Sequence, residues 1–173
     1  MKCCFLFGHR DVPGGILDKL IRSVERLYLE ENITIFYVGR YGMFDRYAGA
    51  AVKAVRKQFP EISLYQVTPY HPAVRSITLP DGYDGSFYPP LEKVPQRYAI
   101  LKANQYMVKT CDAIICYVKH CGNSKALLEL ALRQKQNDQL IIENIGQCFV
   151  QMPKCNCTKH EPCNDLYAEH TNG

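Results

Sequence analysis

Five short segments of this chain are apolar at nearly every position. Continuous apolar runs of this length, rich in β-branched and aromatic residues, are typical of strands that are buried on both faces of a sheet. Each run gives way to glycine, proline or polar residues that favour turns. The pattern therefore predicts β-strands at residues 3–7, 33–38, 62–67, 112–118 and 139–143.

Apolar residues between these runs recur every three or four positions, which predicts amphipathic helices. This spacing occurs at residues 16–28, 47–55, 98–108 and 127–132. Strands that alternate with helices form parallel sheets with helices on both faces. We therefore expect an α/β fold, specifically a Rossmann-like three-layer sandwich with a parallel five-stranded sheet, in one domain over residues 1–145.

Two segments depart from the alternation. Residues 71–95 are rich in proline and contain two Asp-Gly pairs, so we expect neither a sheet strand nor a long helix there. A loop of this length in a compact domain is commonly a lid or a binding loop, and we interpret it as lid-like. Residues 146–173 lose the apolar periodicity and gain cysteine, which indicates a Cys-rich C-terminal tail.

Charge and composition restrict the partners. The net charge is +4, and lysine and arginine are scattered among acidic residues without a basic block, so we do not expect nucleic acid as a partner. No stretch approaches the roughly 20 apolar residues that span a bilayer, so we expect no membrane partner. Without a secretion signal, the nine cysteines are interpreted as reduced thiols or metal ligands in a cytoplasmic protein.

Glycine-containing turns follow three of the predicted strands. They begin at Gly8, Gly39 and Gly122. In an open parallel sheet, ligands bind beyond the carboxyl ends of the strands, where the connections diverge to opposite faces. Glycine permits close backbone approach, a following helix N-terminus offers unpaired amides, and arginine binds phosphate or carboxylate. We therefore expect the three turns to line one pocket that attracts anions.

Several stretches together resemble the SLOG superfamily, which includes the Lonely Guy proteins and DNA-processing protein A. They are CCFLFGHRDVP, FYVGRYGMFDRYA, VTPY and SFYPPLEKVPQRYAILKANQYMVKTCDAIICYV, and they cover most of residues 3–118. The chain looks most like small uncharacterised bacterial and phage SLOG proteins. The resemblance implies a Rossmann-like fold that binds a nucleotide or a nucleotide-derived molecule, and a homodimer or larger homo-oligomer.

The turns and the resemblance together give a set of candidate ligand-binding residues. For Asp45 two roles stay open, binding a ribose hydroxyl or capping a helix. His9 either stacks on a base or fills its turn. The candidates are Gly8, His9, Arg10, Gly39, Arg40, Gly42, Phe44, Asp45, Tyr70, Arg97, Lys102, Asn104, Gly122, Asn123 and Ser124.

One departure from the Lonely Guy pattern bears on catalysis. Those enzymes cleave the N-glycosidic bond of a nucleoside monophosphate and carry a Pro-Gly-Gly-x-Gly-Thr-x-x-Glu turn. Here the corresponding residues are Gly-Asn-Ser-Lys-Ala-Leu-Leu-Glu. Glu129 keeps the spacing of the catalytic carboxylate, whereas Lys125 and Ala126 replace the glycine and the threonine.

The leading hypothesis is therefore capture without catalysis. The protein would bind and sequester an ADP-ribose-type or cyclic-nucleotide signal, as a phage anti-defence sponge does, and would need no cofactor. The alternative is a nucleotide N-glycosidase with Glu129 as its catalytic residue. A DNA-associated module like DNA-processing protein A is a third hypothesis, which the modest charge disfavours.

The tail contains the pattern C-x-C-x-x-H-x-x-C. Four soft ligands suit tetrahedral zinc in number and type, so a structural zinc site is one hypothesis and a flexible thiol-rich tail is the other. The candidate ligands are Cys155, Cys157, His160 and Cys163.

Overall fold

A computed structural model describes residues 1–135 and 139–146. It contains a six-stranded parallel sheet with the strand order β4-β3-β2-β1-β5-β6. The strands are β1 (Lys2–Gly8), β2 (Ile33–Val38), β3 (Ser63–Val67), β4 (Gly85–Phe87), β5 (Ala113–Tyr117) and β6 (Ile141–Asn144). The predicted parallel α/β architecture is confirmed, but the predicted number of strands is wrong by one.

Four helices connect the strands, each at one of the places where helical spacing predicted it. Short 3-10 turns precede the first and third of these helices. Among the described residues, we find no helix with the length and apolar character that a membrane span requires. The helices are α1 (Leu17–Glu31), α2 (Met43–Arg56), α3 (Ala99–Thr110) and α4 (Asn123–Lys135).

The sheet separates two apolar cores. On one face, Leu6 and Phe36 pack with α1 and α2; on the other, Phe5 and Phe7 pack with α3 and α4. Consecutive residues of β1 point to opposite faces, and both faces are buried, which explains why the strand is apolar from Cys3 to Phe7. The three layers are therefore helices, sheet and helices.

The order in which the strands are added to the sheet reverses beside β1. Strands β1 to β4 are laid down in order towards one edge, and the chain then returns to place β5 on the other side of β1. Connections from β1 and β5 consequently leave on opposite faces of the sheet. In open parallel sheets this point creates a crevice at the carboxyl ends of the strands.

The additional strand, β4, lies within the segment that we expected to form no strand. Asp84 N–H donates to the Leu64 carbonyl at 2.9 Å, and Thr68 N–H donates to the Phe87 carbonyl at 2.9 Å. We expected the prolines of this segment to prevent strand formation. Strand β4 forms because its three residues contain no proline and lie at the edge of the sheet, where only one side must be paired. The second half of residues 71–95 is thus part of the sheet.

A carboxylate fixes this segment to α2. Asp84 Oδ2 accepts hydrogen bonds from the Leu64 amide at 2.7 Å and from Arg56 Nη1 at 2.6 Å. Arg56 Nη2 also donates to the Gly82 carbonyl at 2.6 Å. One acidic side chain therefore joins the edge strand, its neighbour β3 and helix α2.

We expect Asp84→Ala to lower the free energy of unfolding by about 1 kcal/mol, because it removes the acceptor for a backbone amide and for a partly exposed arginine. The Leu64 amide should also exchange its hydrogen faster. Urea unfolding and hydrogen-exchange mass spectrometry measure the two effects. Asp81→Ala is the matched control, since the backbone carbonyl of Asp81 makes its contact with Lys53. Equal losses in both variants would contradict the role of Asp84.

Candidate ligand-binding site

The carboxyl edge of the sheet brings the three predicted turns together. Met43 N–H donates to the Arg10 carbonyl at 2.9 Å and so joins the turns after β1 and β2. Ser124 Oγ donates to the Gly8 carbonyl at 2.9 Å and joins the turns after β1 and β5. The turns that were far apart in sequence therefore lie side by side around the end of β1.

Two of the glycines make room for the protein's own atoms. A Cβ on Gly8 would lie 2.6 Å from Cγ of Phe44, and one on Gly39 would lie 3.0 Å from Oδ2 of Asp45. Phe44, on the first turn of α2, is fully buried in the core. These residues explain how the turns pack against each other, and their contact with a ligand stays a prediction.

Gly122 differs from them. Its φ is +134°, a backbone conformation that favours glycine, and a Cβ there would meet nothing within 4 Å. It precedes Asn123, the first residue of α4. The backbone of this turn is therefore exposed at the edge, and its contact with a ligand stays a prediction.

Asp45 caps helix α2, which is one of its two predicted roles. Oδ2 accepts hydrogen bonds from the amides of Tyr41 at 2.8 Å and Gly42 at 3.1 Å. Burial raises the pKa of Asp45 to about 6, although these two amides act in the opposite direction. The carboxylate thus stabilises the turn after β2.

His9 fills the space between the ends of β1 and β5. It is 7% exposed, and its Nε2 accepts hydrogen bonds from the amides of Lys119 at 3.0 Å and His120 at 3.3 Å. Its ring stacks on that of His120, with 3.6 Å between centroids. Burial, and to a lesser degree His120, lowers the pKa of His9 to about 4. The neutral imidazole is therefore packed between the turns that follow β1 and β5.

A cavity at the carboxyl edge lies beyond the end of β3, two strands away from β1. Its volume is about 310 Å³, at the lower end of the range for small-molecule sites. The 71–95 segment forms one wall and the beginning of α3 forms another. Its lining is mostly apolar and aromatic, and includes Tyr70, His71, Tyr88, Leu91 and Val94.

Two arginines lie beside this cavity. Arg40 and Arg75, with Tyr41, line a narrow cleft that shares Pro69 and Tyr70 with the cavity. The Arg75 guanidinium stands over the Tyr70 ring, 5.5 Å from its centroid. An apolar cavity and a pair of exposed cations therefore meet at Tyr70.

Sequence reasoning identified Arg40 and Tyr70 but missed Arg75 and Tyr41 as site residues. Arg75 lies in a proline-rich loop, where periodicity carries no information about position. The sequence feature that could have identified Arg75 is its position in the 71–95 segment, which we interpreted as lid-like. Only the fold shows that this loop returns to the end of β2.

Of the candidate ligand-binding residues, Arg40 and Tyr70 line the cavity or the cleft, and the others line neither, including the turn glycines Gly8, Gly39 and Gly122. Arg97, Lys102 and the catalytic candidate Glu129 are exposed on or just before helices, and Arg97 stacks over Tyr98 with 4.8 Å to the ring centroid. Asn104 is half-buried on α3. The four candidate zinc ligands lie outside the described residues, as does most of the predicted tail.

A separate cavity of about 300 Å³ lies between α1 and β6. Lys19, Arg22 and Arg26 line it, but Arg26 is paired with Glu143 at 2.7 Å. Glu143 also accepts a hydrogen bond from Ser23 at 2.6 Å. Its lining includes Glu143 and Ile145 at the carboxyl end of β6, and the one carboxylate of that lining is already paired with Arg26 and Ser23.

Comparison with solved structures supports the fold. The chain is similar to the molybdenum cofactor binding protein of Rippkaea orientalis, with 14% identity, a TM-score of 0.53, and coverage of 83% of this chain and 76% of that one. The Moco carrier protein of Chlamydomonas reinhardtii matches with 14% identity, a TM-score of 0.47, and coverage of 82% and 75%. No protein-family model and no curated protein matches the chain. Its resemblance to the SLOG superfamily stays a prediction.

We expect Gly8→Ala to lower the free energy of unfolding by about 1–3 kcal/mol, because the new methyl group overlaps the buried Phe44 ring. Gly15→Ala is the matched control, since a Cβ there meets nothing within 4 Å, and it should change stability by less than about 0.5 kcal/mol. Urea unfolding at neutral pH measures both. If the two variants were equally stable, Gly8 would not be needed for packing.

His9 should make stability depend on pH. Its pKa is about 4 in the folded protein, against a reference of 6.5, so the unfolded chain binds a proton first as the pH falls. The stabilisation is present above pH 6.5 and is lost towards pH 4, by roughly 3 kcal/mol. Urea unfolding from pH 7.5 to 4 of wild type and His9→Gln measures it.

Asp45 also titrates in this range, but its raised pKa makes the folded protein more stable as the pH falls. Subtracting the stability profile of His9→Gln from that of wild type removes the contribution of Asp45 and leaves that of His9. Wild type should lose stability relative to His9→Gln on acidification, since glutamine accepts the same amides without titrating. Parallel profiles would show that His9 is not held neutral.

Proposed function

We propose that this protein binds a nucleotide-derived small molecule at the carboxyl edge of its sheet and holds it chemically unchanged. The observation that carries the proposal is the apolar cavity of about 310 Å³ that adjoins Arg40 and Arg75. A nucleotide has the matching parts, because it joins a flat ring to an anionic phosphate. The ring would occupy the cavity and the phosphate would lie beside the arginines.

The residue types suit both parts of such a ligand. Arginine presents a planar set of donors that binds phosphate in a bidentate manner. Tyr70 lies between the two regions, and His71 meets Tyr88 edge-on with 5.3 Å between ring centroids. Aromatic side chains bind bases by stacking, worth about 1–3 kcal/mol per base in nucleic-acid complexes.

Capture is favoured over hydrolysis because the two buried titratable groups in the turns after β1 and β2 accept backbone amides and line neither the cavity nor the cleft. His9 Nε2 accepts two amides and Asp45 Oδ2 accepts two more. A general base must have a lone pair within reach of the proton that it removes. Glu129, the candidate of the N-glycosidase alternative, is exposed on α4 and lies outside both cavity linings.

Three ligand classes fit this chemistry. ADP-ribose-type molecules and cyclic nucleotides are the classes that the SLOG resemblance favours, and capture of such a signal would make the protein an anti-defence sponge in a phage. The molybdenum cofactor, which the Rippkaea orientalis protein binds, is the third. Homodimerisation through helices beside the edge remains part of the proposal.

Mass spectrometry of the bound molecule tests the proposal. The purified full chain is incubated with members of the three classes, washed, and denatured by heat to release what it holds. Recovery of an intact ligand supports capture. Recovery of a released base would instead support the N-glycosidase, and Glu129→Gln should then abolish turnover. Failure of the chain to retain any class would contradict both.

For the ligand so identified, we expect Arg40→Gln and Arg75→Gln each to weaken binding by about 10- to 100-fold, since each removes a charge-assisted hydrogen bond. Isothermal titration calorimetry at 0.15 M salt measures the dissociation constants. Arg133→Gln, on the last turn of α4, is the control of equal charge change. A uniform loss in all three variants would indicate a general charge effect rather than this site.

A further inference from the structure

The cavity between α1 and the edge strand β6 is lined mainly by basic side chains. Its volume is about 300 Å³, at the lower end of the range for small-molecule sites. Positive charge is in excess in this lining, so a small anion is the class of ligand that it favours. The lining residues are Lys19, Arg22, Ser23, Arg26, Glu143 and Ile145.

The three basic residues come from one face of α1. Positions 19, 22 and 26 are separated by three and four residues, a spacing that places side chains one above another along a helix. Ser23 lies between this face and the buried stripe of the same helix, which includes Leu20 and Val24, and it is 4% exposed. The helix therefore supplies cations at the rim of the cavity and a hydroxyl group further in.

The carboxylate comes from the sheet. Glu143 pairs with Ile115 of β5, which belongs to the core beneath α1 and α2, so the Glu143 side chain projects towards α1. Ser23 Oγ donates to Glu143 Oε1 at 2.6 Å, and Arg26 Nη2 donates to Glu143 Oε2 at 2.7 Å. A carboxylate has roughly four lone-pair sites, so each oxygen can accept one more donor. The inner side of the cavity thus offers a hydrogen-bond acceptor.

Two of the three cations are available to a ligand. Lys19 and Arg22 are exposed, and within residues 1–135 and 139–146 neither takes part in an ion pair. Arg26, by contrast, is held by Glu143 and by Glu30, which lies 3.3 Å from its Nη1. Arginine can bind a phosphate group through two parallel hydrogen bonds. The rim of the cavity is therefore suited to a phosphate group.

We propose that this cavity is a second ligand site and that its ligands are small phosphorylated sugars. The phosphate group lies between Lys19 and Arg22, and a sugar hydroxyl donates to Glu143. The carboxylate disfavours inorganic phosphate, because like charges repel and a bare phosphate has little to donate. The inference is independent of the proposed nucleotide site, since the two cavities share no lining residue.

Isothermal titration calorimetry with three probes tests the proposal. The purified full chain is titrated with ribose 5-phosphate, inorganic phosphate and ribose at neutral pH and low salt. We expect ribose 5-phosphate to bind about tenfold more tightly than inorganic phosphate, because it adds hydrogen bonds to a carboxylate, and ribose not to bind measurably. Equal affinities for the two phosphates would overturn the role of Glu143. Failure of ribose 5-phosphate to bind would overturn the site.

A pair of double variants locates the phosphate group. Lys19→Gln combined with Arg22→Gln should weaken binding of ribose 5-phosphate by about 10- to 100-fold, because both charge-assisted contacts are lost. Arg40→Gln combined with Arg75→Gln is the matched control, since it removes the same charge beside the other cavity, and it should leave this affinity unchanged. Equal weakening in both double variants would contradict the assignment.

Glu143→Gln should change the two phosphate affinities in opposite senses. It removes a negative charge and releases Arg26, so inorganic phosphate should bind more tightly. Ribose 5-phosphate should lose most of its advantage, because the acceptor of its hydroxyl is no longer charged. A fall in the affinity for inorganic phosphate would contradict Glu143 as the selective group.

Backbone amide chemical shifts give a readout that needs no variant. When ribose 5-phosphate is added to ¹⁵N-labelled wild type, the largest changes should occur at Arg22, Ser23 and Ile145, with little change at Tyr70 and Arg75. The reverse distribution, with the largest changes at Tyr70 and Arg75, would overturn the proposal.

Discussion

The parallel pairing of β1 between β2 and β5 is the constraint on which the rest of the structure depends. Leu6 pairs with Val38 on one side and with Ile115 on the other, so the strand must satisfy two neighbours along its length. Its side chains contribute to both cores. This double burial accounts for the apolar run at the beginning of the chain. It also fixes where the turn at Gly8 must lie.

The same pairing separates the two ends of the sheet chemically. At the carboxyl end, backbone amides and glycine-containing turns converge, and the nearby imidazole and carboxylate are used to accept those amides. At the amino end, Asp112 joins β1 to the beginning of β5. The two ends of this strand therefore differ in chemistry, with converging turns at one end and a backbone-binding carboxylate at the other.

The sequence allowed the layers to be predicted because burial on both faces leaves a direct trace in composition. Five of the six strands follow from that trace, and the four helices follow from apolar residues that recur every three or four positions. Strand β4 did not, because its three residues, Gly-Ser-Phe, are too few for periodicity and lie among prolines. Strand β4 is identified by the hydrogen bonds between Asp84 and Leu64, which join segments far apart in sequence.

The sequence predicted that the turns lie side by side, but the cavity lies beyond the end of β3 and is lined by none of the three turn glycines. The turns at Gly8 and Gly122 do adjoin, because strand order is constrained by the handedness of parallel connections. The roles of the side chains depend on contacts that local sequence does not encode. His9 and Asp45 bind backbone amides of their own chain, and Arg75 reaches the edge through an irregular loop.

Both edge strands of the sheet are short. Strand β4 contains three residues and β6 contains four, whereas the central β1 contains seven. A short edge strand exposes few unpaired N–H and C=O groups with which a strand of another chain could pair. Many natural sheets avoid aggregation in this way. The consequence is that strand addition is a poor route to self-assembly for this protein.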